Sequence, residues 1–375
     1  MSKTTKSNFI TYGMVLAVYL IVQVMIMTGN LSSLLQGLLV PLCIYVILAV
    51  SLNLTVGILG ELSLDHAGFM CVGAFSGAFF SKCTNGVLPD GLRFLLALLI
   101  GALVAAVFGI LIGIPVLRLY GDYLAIVTLA FGEIIKNVIN VLFVGRDSNG
   151  FHFSTKDTMS LNLAEGGEAI VKGPQGISGT PKDATFTIGV ILILLTLVIV
   201  LNMINSRTGR AIMAIRDNRI AAESVGIDIT KYKLLAFSVS AALAGMAGVL
   251  YAHNLSTLTA LPKNFGYNMS ITILVFVVLG GIGSIRGSII AAVILTLLPE
   301  LLRGLNDYRM LIYAIVLIVM MILNWNPKAK AILIKYSPKA LFGKKNAAKE
   351  DKSYGIIGRK KSGHLLWRPS CGRWI

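Results

Sequence analysis

The stretch SNFITYGMVLAVYLIVQVMIMTGNLSSLLQGLLVPLCIYVILAVSLNLTVGILG, residues 7–60, carries no charged side chain. A helix needs about 20 predominantly apolar residues to cross the hydrocarbon core of a bilayer. The stretch is therefore long enough for two such helices and the turn between them. We predict transmembrane spans at residues 9–28 and 34–58, joined by a short polar turn.

The composition of the whole chain indicates the same class of protein. Of its 375 residues, 56% are hydrophobic and 13% are charged, which is about half the charged fraction of a soluble domain. This composition excludes an ordinary water-soluble enzyme. We predict an all-α polytopic membrane protein with about 8–10 transmembrane helices, some of them short or broken and Gly-rich. The further candidate spans are residues 66–81, 94–117, 123–144, 184–205, 234–253, 269–283, 288–302 and 309–325.

The positive charge indicates the orientation in the membrane. The chain has a net charge of +16, and its Lys and Arg residues flank apolar spans, where they mark the cytoplasmic side. We therefore predict a multi-pass membrane protein with both termini in the cytoplasm, and no nucleic-acid partner. The predicted regions are a transmembrane domain (1–326) with an external loop (145–183) and a cytoplasmic loop (206–233), followed by a basic cytoplasmic tail (327–375).

The sequence offers no recognisable site for chemistry. It has four His and four Cys residues without the spacing of metal ligands, and it lacks a phosphate-binding loop and a nucleophile elbow. We therefore predict no catalytic residue, no metal and no cofactor in this chain, so the protein is not expected to be an enzyme. Transport would be passive or driven by another subunit.

The segment SRTGRAIMAIRDNRIAAESVGIDITKYK, residues 206–233, combines positive charge with an apolar face. Read as one helix, it places Ile212 and Ile215 on one side and Arg216, Arg219 and Glu223 on an adjoining charged stripe. A solvated loop is one interpretation. A short cytoplasmic helix that docks into another protein is favoured, because a solvated loop does not need an apolar face.

The end of this segment carries a motif. Ala221 and Ala222, then three intervening residues and Gly226, match the second half of the pattern Glu-Ala-Ala-x-x-x-Gly, with Ile220 in the place of the glutamate. The chain resembles the inner-membrane permeases of ATP-binding-cassette importers of the branched-chain amino acid type, in which this motif marks a helix that contacts a separate ATPase. The likeness runs from about residue 52 to residue 326. It is carried by the Gly-rich stretches 51–75 and 274–292, by a middle span at residues 121–140 and by a turn in the outer loop at residues 172–177.

The resemblance implies a permease subunit of the plasma (bacterial inner) membrane that moves Leu, Ile or Val by alternating access. Residues 1–326 would then form the permease domain, and the loop 206–233 would be its coupling loop. ATP would be bound by a partner ATPase, and a second related permease subunit and an extracytoplasmic solute-binding protein would complete the importer. Urea, short amides or another small solute remain alternative substrates, and an ATP-independent secondary transporter or channel remains an alternative class. The residues predicted to couple to the ATPase are Arg210, Arg216, Arg219, Ala221, Ala222, Glu223 and Gly226.

Ionisable and amide side chains within the predicted spans are candidates for the translocation pathway, because such groups are costly in a membrane and usually face the bundle interior. The candidates are Asn53, Glu133 and Asn137. Helical spacing predicts that Glu133, Lys136 and Asn137 share a face, either as a structural ion pair or as part of the pathway. A second polar patch lies near Asn53 and is interpreted as an interfacial turn; it contains Glu61, Ser63, Asp65 and His66.

Small residues recur at helical spacing in the span 234–253. This pattern predicts a ridge for close helix packing, with one row at Ser240, Ala244 and Gly248 and another at Ala241 and Gly245. Two glycine clusters, at residues 57–60 and 280–287, either pack closely in the same way or permit broken helices near the pathway.

Overall fold

A computed structural model describes residues 3–29, 32–119, 121–147, 150–163, 167–302 and 308–325. The basic tail predicted at residues 327–375 lies outside the described residues. The chain divides into two compact units, Met1–Leu317 and Ile318–Ile375. The described part of the second unit is the end of the last helix, and the first unit holds the rest of the described elements.

The described residues form thirteen α-helices, and each of the ten predicted spans coincides with one of them. A π-helix, Leu54–Leu59, continues the second helix without interruption. The helices are α1 (Lys3–Met27), α2 (Ser33–Asn53), α3 (His66–Cys83), α4 (Asp90–Val116), α5 (Asp122–Val141), α6 (Phe186–Asn205), α7 (Arg207–Asp217), α8 (Arg219–Ser224), α9 (Ile229–Asn254), α10 (Pro262–Phe265), α11 (Tyr267–Gly280), α12 (Ile285–Leu301) and α13 (Arg309–Trp325).

Seven helical segments in the described chain are long and apolar enough to cross a membrane. They are α1, α2 with its π-helix, α4, α5, α6, α9 and the pair α10–α11. The remaining long helices are α3, of 18 residues, and α12 and α13, of 17 residues each, which do not meet the same requirement of length and apolarity. The prediction of an all-α polytopic membrane protein with some short spans is confirmed.

Short strands occupy the loop predicted at residues 145–183. Three of them form an antiparallel sheet in the order β2-β1-β3, and two form a separate antiparallel pair that joins this loop to the chain after α9. No strand was predicted here, because none is longer than five residues. The strands are β1 (Phe143–Asp147), β2 (Gly150–Ser154), β3 (Glu168–Lys172), β4 (Ile177–Ser178) and β5 (Thr257–Leu258).

The bundle is built around α9, which packs against α2, α3 and α4. A Cβ atom added to Gly248 would lie 2.1 Å from the carbonyl oxygen of Met70 in α3, and one added to Gly245 would lie 2.4 Å from Cβ of Ala105 in α4. The backbones therefore approach as closely as glycine allows, and the predicted ridge of small residues on α9 is confirmed.

Candidate functional site

The predicted coupling loop, residues 206–233, folds into two helices rather than one. Asn218 separates α7 from α8, and its Oδ1 accepts a hydrogen bond from the backbone N–H of Ala221 at 3.1 Å, which caps α8. Ser206 caps α7 and Asp228 caps α9 through their side-chain oxygens. Gly226 ends the α8 turn with φ at +84°, a left-handed conformation that glycine adopts without strain. The expectation of a single helix is therefore wrong, because the side-chain cap at Asn218 starts a second helix.

The apolar face of this helix pair is buried in its own chain. Ile212 packs against Leu54, Ile58 and Leu59 of the π-helical segment, together with Ala236 of α9. Ile215 packs against Ala222 and Ile229. The residues predicted from their apolar spacing to meet another protein therefore seat α7 and α8 on the bundle instead.

The outer surface of the pair is left open. Two apolar side chains stand out there, because Ile220 is 81% exposed and Val225 is 75% exposed. Of the seven predicted coupling residues, Ala222 is buried, so a partner protein cannot touch it directly. The six that are exposed in this chain are Arg210, Arg216, Arg219, Ala221, Glu223 and Gly226.

The side chain of Arg216 is exposed to solvent, but its guanidinium group also contacts the backbone of the bundle. Its Nη1 donates a hydrogen bond to the carbonyl oxygen of Gly57 in the π-helix at 3.0 Å. Its Nε and Nη2 donate to Oδ1 of Asp217 at 3.0 and 2.9 Å. The guanidinium group therefore lies between its neighbour on α7 and the backbone of the bundle.

Asn53 is fully buried at the point where α2 becomes π-helical. Its Nδ2 donates to Oγ of Ser288 in α12 at 2.8 Å, and its Oδ1 accepts the backbone N–H of Gly283 at 2.9 Å. A Cβ atom on Gly57 would lie 2.4 Å from the backbone nitrogen of Gly283. The two glycine clusters predicted from the sequence thus pack against each other, and Asn53 ties them together.

The second polar patch lies largely in a turn between the π-helix and α3, but most of its polar side chains are buried in the bundle rather than exposed to water. Ser63, Asp65 and His66 are buried, and long-range hydrogen bonds hold the segment between α2 and α3 inside the bundle. Nε2 of His66 lies 3.0 Å from Oγ of Ser240, and the N–H of Leu64 donates to Thr128 at 3.0 Å. An ion pair between Glu61 and Lys233 of α9 closes the same segment.

Glu133 links two helices. Its Oε1 accepts the backbone N–H of Tyr267, the first residue of α11, at 2.7 Å, and its Oε2 forms an ion pair with Lys136. A carboxylate at the start of a helix is favourable, because the first N–H groups lack partners within the helix. Lys136 is buried, whereas Asn137 is exposed, so the structure brings only Glu133 and Lys136 together.

An apolar cavity of about 630 Å³ lies between α3, α4, α5 and the sheet. Its described lining is apolar apart from the hydroxyl of Ser76, and it contains no charged side chain. The ammonium and carboxylate groups of an amino acid would be buried there without partners, which is costly. This cavity is therefore a poor site for an amino acid. Among the described residues, no three His, Cys, Asp or Glu side chains gather to hold a metal ion.

Comparison with known proteins identifies the family. The family model described as "Branched-chain amino acid transport system / permease component" matches residues 33–323. The high-affinity branched-chain amino acid transport system permease protein LivM of Salmonella typhimurium is 37% identical to this chain over 294 residues, which are 76% of this chain and 67% of the relative. LivM of Escherichia coli has the same identity and coverage.

A more distant relative has a different substrate in its name. The fructose import permease protein FruG of Bifidobacterium longum is 24% identical over 294 residues, which are 74% of this chain and 78% of the relative. No solved structure matches this chain. The family match extends from the start of α2 almost to the end of α13, and it includes the helix pair α7–α8 and the π-helical break. The chain therefore belongs to the family of permease components of branched-chain amino acid transport systems.

Proposed function

We infer that this chain is the transmembrane permease subunit of an ATP-binding-cassette importer that moves branched-chain amino acids across the inner membrane by alternating access. The observation that carries the proposal is the family match together with the helix pair α7–α8. This pair is seated on the break in α2 by buried apolar contacts and leaves a polar surface with two exposed apolar side chains on its other side. Such a surface suits a partner that pushes on the bundle from outside the membrane.

The partners follow from this arrangement. An ATPase subunit would bind the exposed surface of α7–α8 on the cytoplasmic side, with both termini of the chain on that side. A solute-binding protein would meet the opposite end of the bundle, at the sheet formed by β1, β2 and β3. A second, related permease would cover part of the apolar surface of α5, where Ile126, Ile134 and Val138 are each more than half exposed.

An ATP-independent secondary transporter is less well supported. Such a transporter needs a carboxylate that binds and releases the coupling ion during the cycle. Glu133 is the strongest candidate among the predicted pathway residues, but both of its oxygens are engaged, with the N–H of Tyr267 and with Lys136. This arrangement supports a structural role for Glu133 and so favours the importer.

The test is uptake of labelled leucine by a host that lacks its own leucine importers. The chain is expressed with its candidate partners, and the same set with a catalytically dead ATPase is the control. We expect uptake that requires the active ATPase and is competed by isoleucine and valine but not by urea. Uptake that is indifferent to the ATPase would instead indicate a secondary transporter. A stable, ATP-hydrolysing complex without leucine uptake would show that the substrate is wrong.

Changing Ile220 to serine is expected to weaken the ATPase interaction without disturbing the fold. Burial of an exposed isoleucine at an interface contributes about 1.5–3 kcal/mol, so its loss should lower affinity about tenfold or more. The side chain is 81% exposed, so the bundle does not depend on it. The measurement is co-purification of the ATPase, with Ile220→Leu as the matched control. Undiminished co-purification with Ile220→Ser would show that the ATPase binds elsewhere.

A further inference from the structure

We propose that Arg216 is a positioning residue that passes the movement of α7 to the buried junction around Asn53, rather than a contact for the ATPase. The proposal rests on the proposed function, in which a partner pushes on α7–α8. It separates Arg216 from the exposed coupling residues of α8. Arg216 acts inward, on the backbone of the bundle, and the exposed residues of α8 act outward.

The first step is the contact between α7 and the π-helix. Nη1 of Arg216 is 3.0 Å from the carbonyl oxygen of Gly57, a residue 159 positions earlier in the chain. Asp217 accepts two hydrogen bonds from the other side of the same guanidinium group, so its plane is fixed. A planar fork held in this way directs its remaining N–H groups to one place. Movement of α7 therefore moves the donor to Gly57.

The π-helix provides the acceptor. In the segment Leu54–Leu59 the backbone departs from α-helical pairing, and the N–H groups of Gly60 and Glu61 both bond to the carbonyl oxygen of Thr55. Carbonyl groups near such a helix end lack the usual partner four residues later, and π-helical turns recur at functional sites. The carbonyl oxygen of Gly57 is thus open to a donor from another element.

Gly60 makes room for the arginine. Its φ is +81°, and a Cβ atom there would lie 2.5 Å from Cγ of Arg216. A side chain at this position would push the stem of Arg216 away from the π-helix. Glycine at residue 60 therefore has two effects: it allows the left-handed backbone of the turn, and it leaves space for the stem of Arg216.

The second step carries the movement deeper. A Cβ atom on Gly57 would lie 1.9 Å from Oδ1 of Asn53 and 2.4 Å from the backbone nitrogen of Gly283, so Gly57 cannot move toward these two groups without displacing them. Asn53 is in turn hydrogen-bonded to Gly283 and to Ser288. A displacement of Gly57 by Arg216 would therefore reach the start of α12. Close-packed backbones transmit such shifts because they cannot compress.

Arg210 is the matched control. It lies on the same helix and is exposed, and its Nη1 donates to the carbonyl oxygen of Asn205 at 3.2 Å, beside α7 itself. Replacing it removes the same charge from the same surface but leaves the bond to Gly57 in place. A difference between the two variants therefore reports on the inward contact and not on the charge of the surface.

The experiment compares Arg216→Ala, Arg216→Lys and Arg210→Ala in the full importer, reconstituted in proteoliposomes. We expect Arg216→Ala to bind the ATPase as the wild type does and to keep its basal ATP hydrolysis, but to lose about tenfold in uptake, because a hydrogen bond from a charged group is lost. Arg216→Lys keeps a charged donor but not the planar guanidinium group, so its uptake should lie between that of Arg216→Ala and that of the wild type. Arg210→Ala lies on the surface proposed to bind the ATPase, so its readout is the ratio of uptake to ATP hydrolysis, which should stay at the wild-type value whatever happens to ATPase binding. Loss of ATPase binding in Arg216→Ala, or unchanged uptake, would overturn the proposal.

A second measurement does not depend on the identity of the substrate. A spin label at Ile282→Cys, an exposed position between Gly281 and Gly283, reports movement at the start of α12 when ATP is added to the complex. The label should respond to ATP in the Arg210→Ala background and not in the Arg216→Ala background. Equal responses in both backgrounds would overturn the proposal. If leucine uptake fails in all variants while the label still distinguishes them, the fault lies in the proposed substrate.

Discussion

Replacing Gly73 by alanine is expected to prevent the chain from accumulating as a folded membrane protein. The added Cβ atom would lie 2.3 Å from both Cα and the carbonyl oxygen of Gly245 in α9. Both are backbone atoms, so no change of rotamer can relieve the contact and α3 must move away from α9. Overpacking of a core costs about 1–3 kcal/mol when side chains can adjust, and the cost is expected to be at the upper end or above it where they cannot.

Helix α4 packs as closely against α3 and α9 as these two helices pack against each other, so α3 cannot shift without disturbing another contact. A Cβ atom on Gly101 of α4 would itself lie 2.9 Å from the carbonyl oxygen of Gly73, and one on Gly245 would lie 2.7 Å from that of Gly101. Three helices therefore meet at three glycines. Separating one pair opens a gap between the others, and the loss of packing is added to the strain.

The measurement is the amount of monodisperse protein extracted from membranes and its apparent Tm. Gly91→Ala is the matched control, because it makes the same change in helix α4 at a residue that has no atom of the described chain within 4 Å of its added Cβ. It should be neutral or slightly stabilising, since alanine favours helix. Equal Tm values for Gly73→Ala and the control would show that the crossing can open at little cost.

The spans could be predicted because the apolar length that makes a helix cross a membrane is a local property of the sequence. Each predicted span coincides with a helix, and its ends differ from the observed ends by a few residues. The ridge of small residues on α9 was also predictable, since a period of four residues places Gly245 beside Ala241 whatever else the chain does. The sequence pattern does not indicate which surface this ridge packs against.

The polar patch at Glu61–His66 could not be located in this way. Leu64 and His66 of this patch bond to Thr128 and Ser240, which lie 64 and 174 residues away in the chain, so only the folded bundle brings them together. A turn at the membrane surface would satisfy the same polar groups with water. The residue types alone indicate a turn whose polar groups face water, whereas the structure buries most of them in the bundle.

The contacts of individual side chains in the coupling loop likewise cannot be predicted from helical periodicity. Helical periodicity places Arg216 on a stripe with Arg219, and nothing in that spacing indicates that one of them reaches the carbonyl oxygen of Gly57. The break at Asn218 rotates α8 against the simple helical register. The segment was therefore recognised as a unit, whereas the division into inward and outward contacts required the structure.

Replacing Lys233 by methionine is expected to destabilise the chain strongly. The side chain of Lys233 is 4% exposed and that of Glu61 is 17% exposed, and the two form an ion pair that joins the start of α9 to the segment before α3. Removing one partner of a buried pair leaves a charge in a medium of low dielectric constant and typically costs about 3–5 kcal/mol. The cost arises from the remaining charge and not from the lost attraction alone.

A second substitution is expected to restore most of the stability that Lys233→Met loses. With Glu61→Gln added to Lys233→Met, the uncompensated charge is gone, and the apparent Tm of the double variant should recover most of the loss, because neutral replacements of buried pairs are often nearly neutral. Lys231→Met, at an exposed position two residues earlier, is the control and should have little effect. A double variant as unstable as Lys233→Met would show that packing of the lysine stem, and not the charge on Glu61, holds α9 to the buried segment.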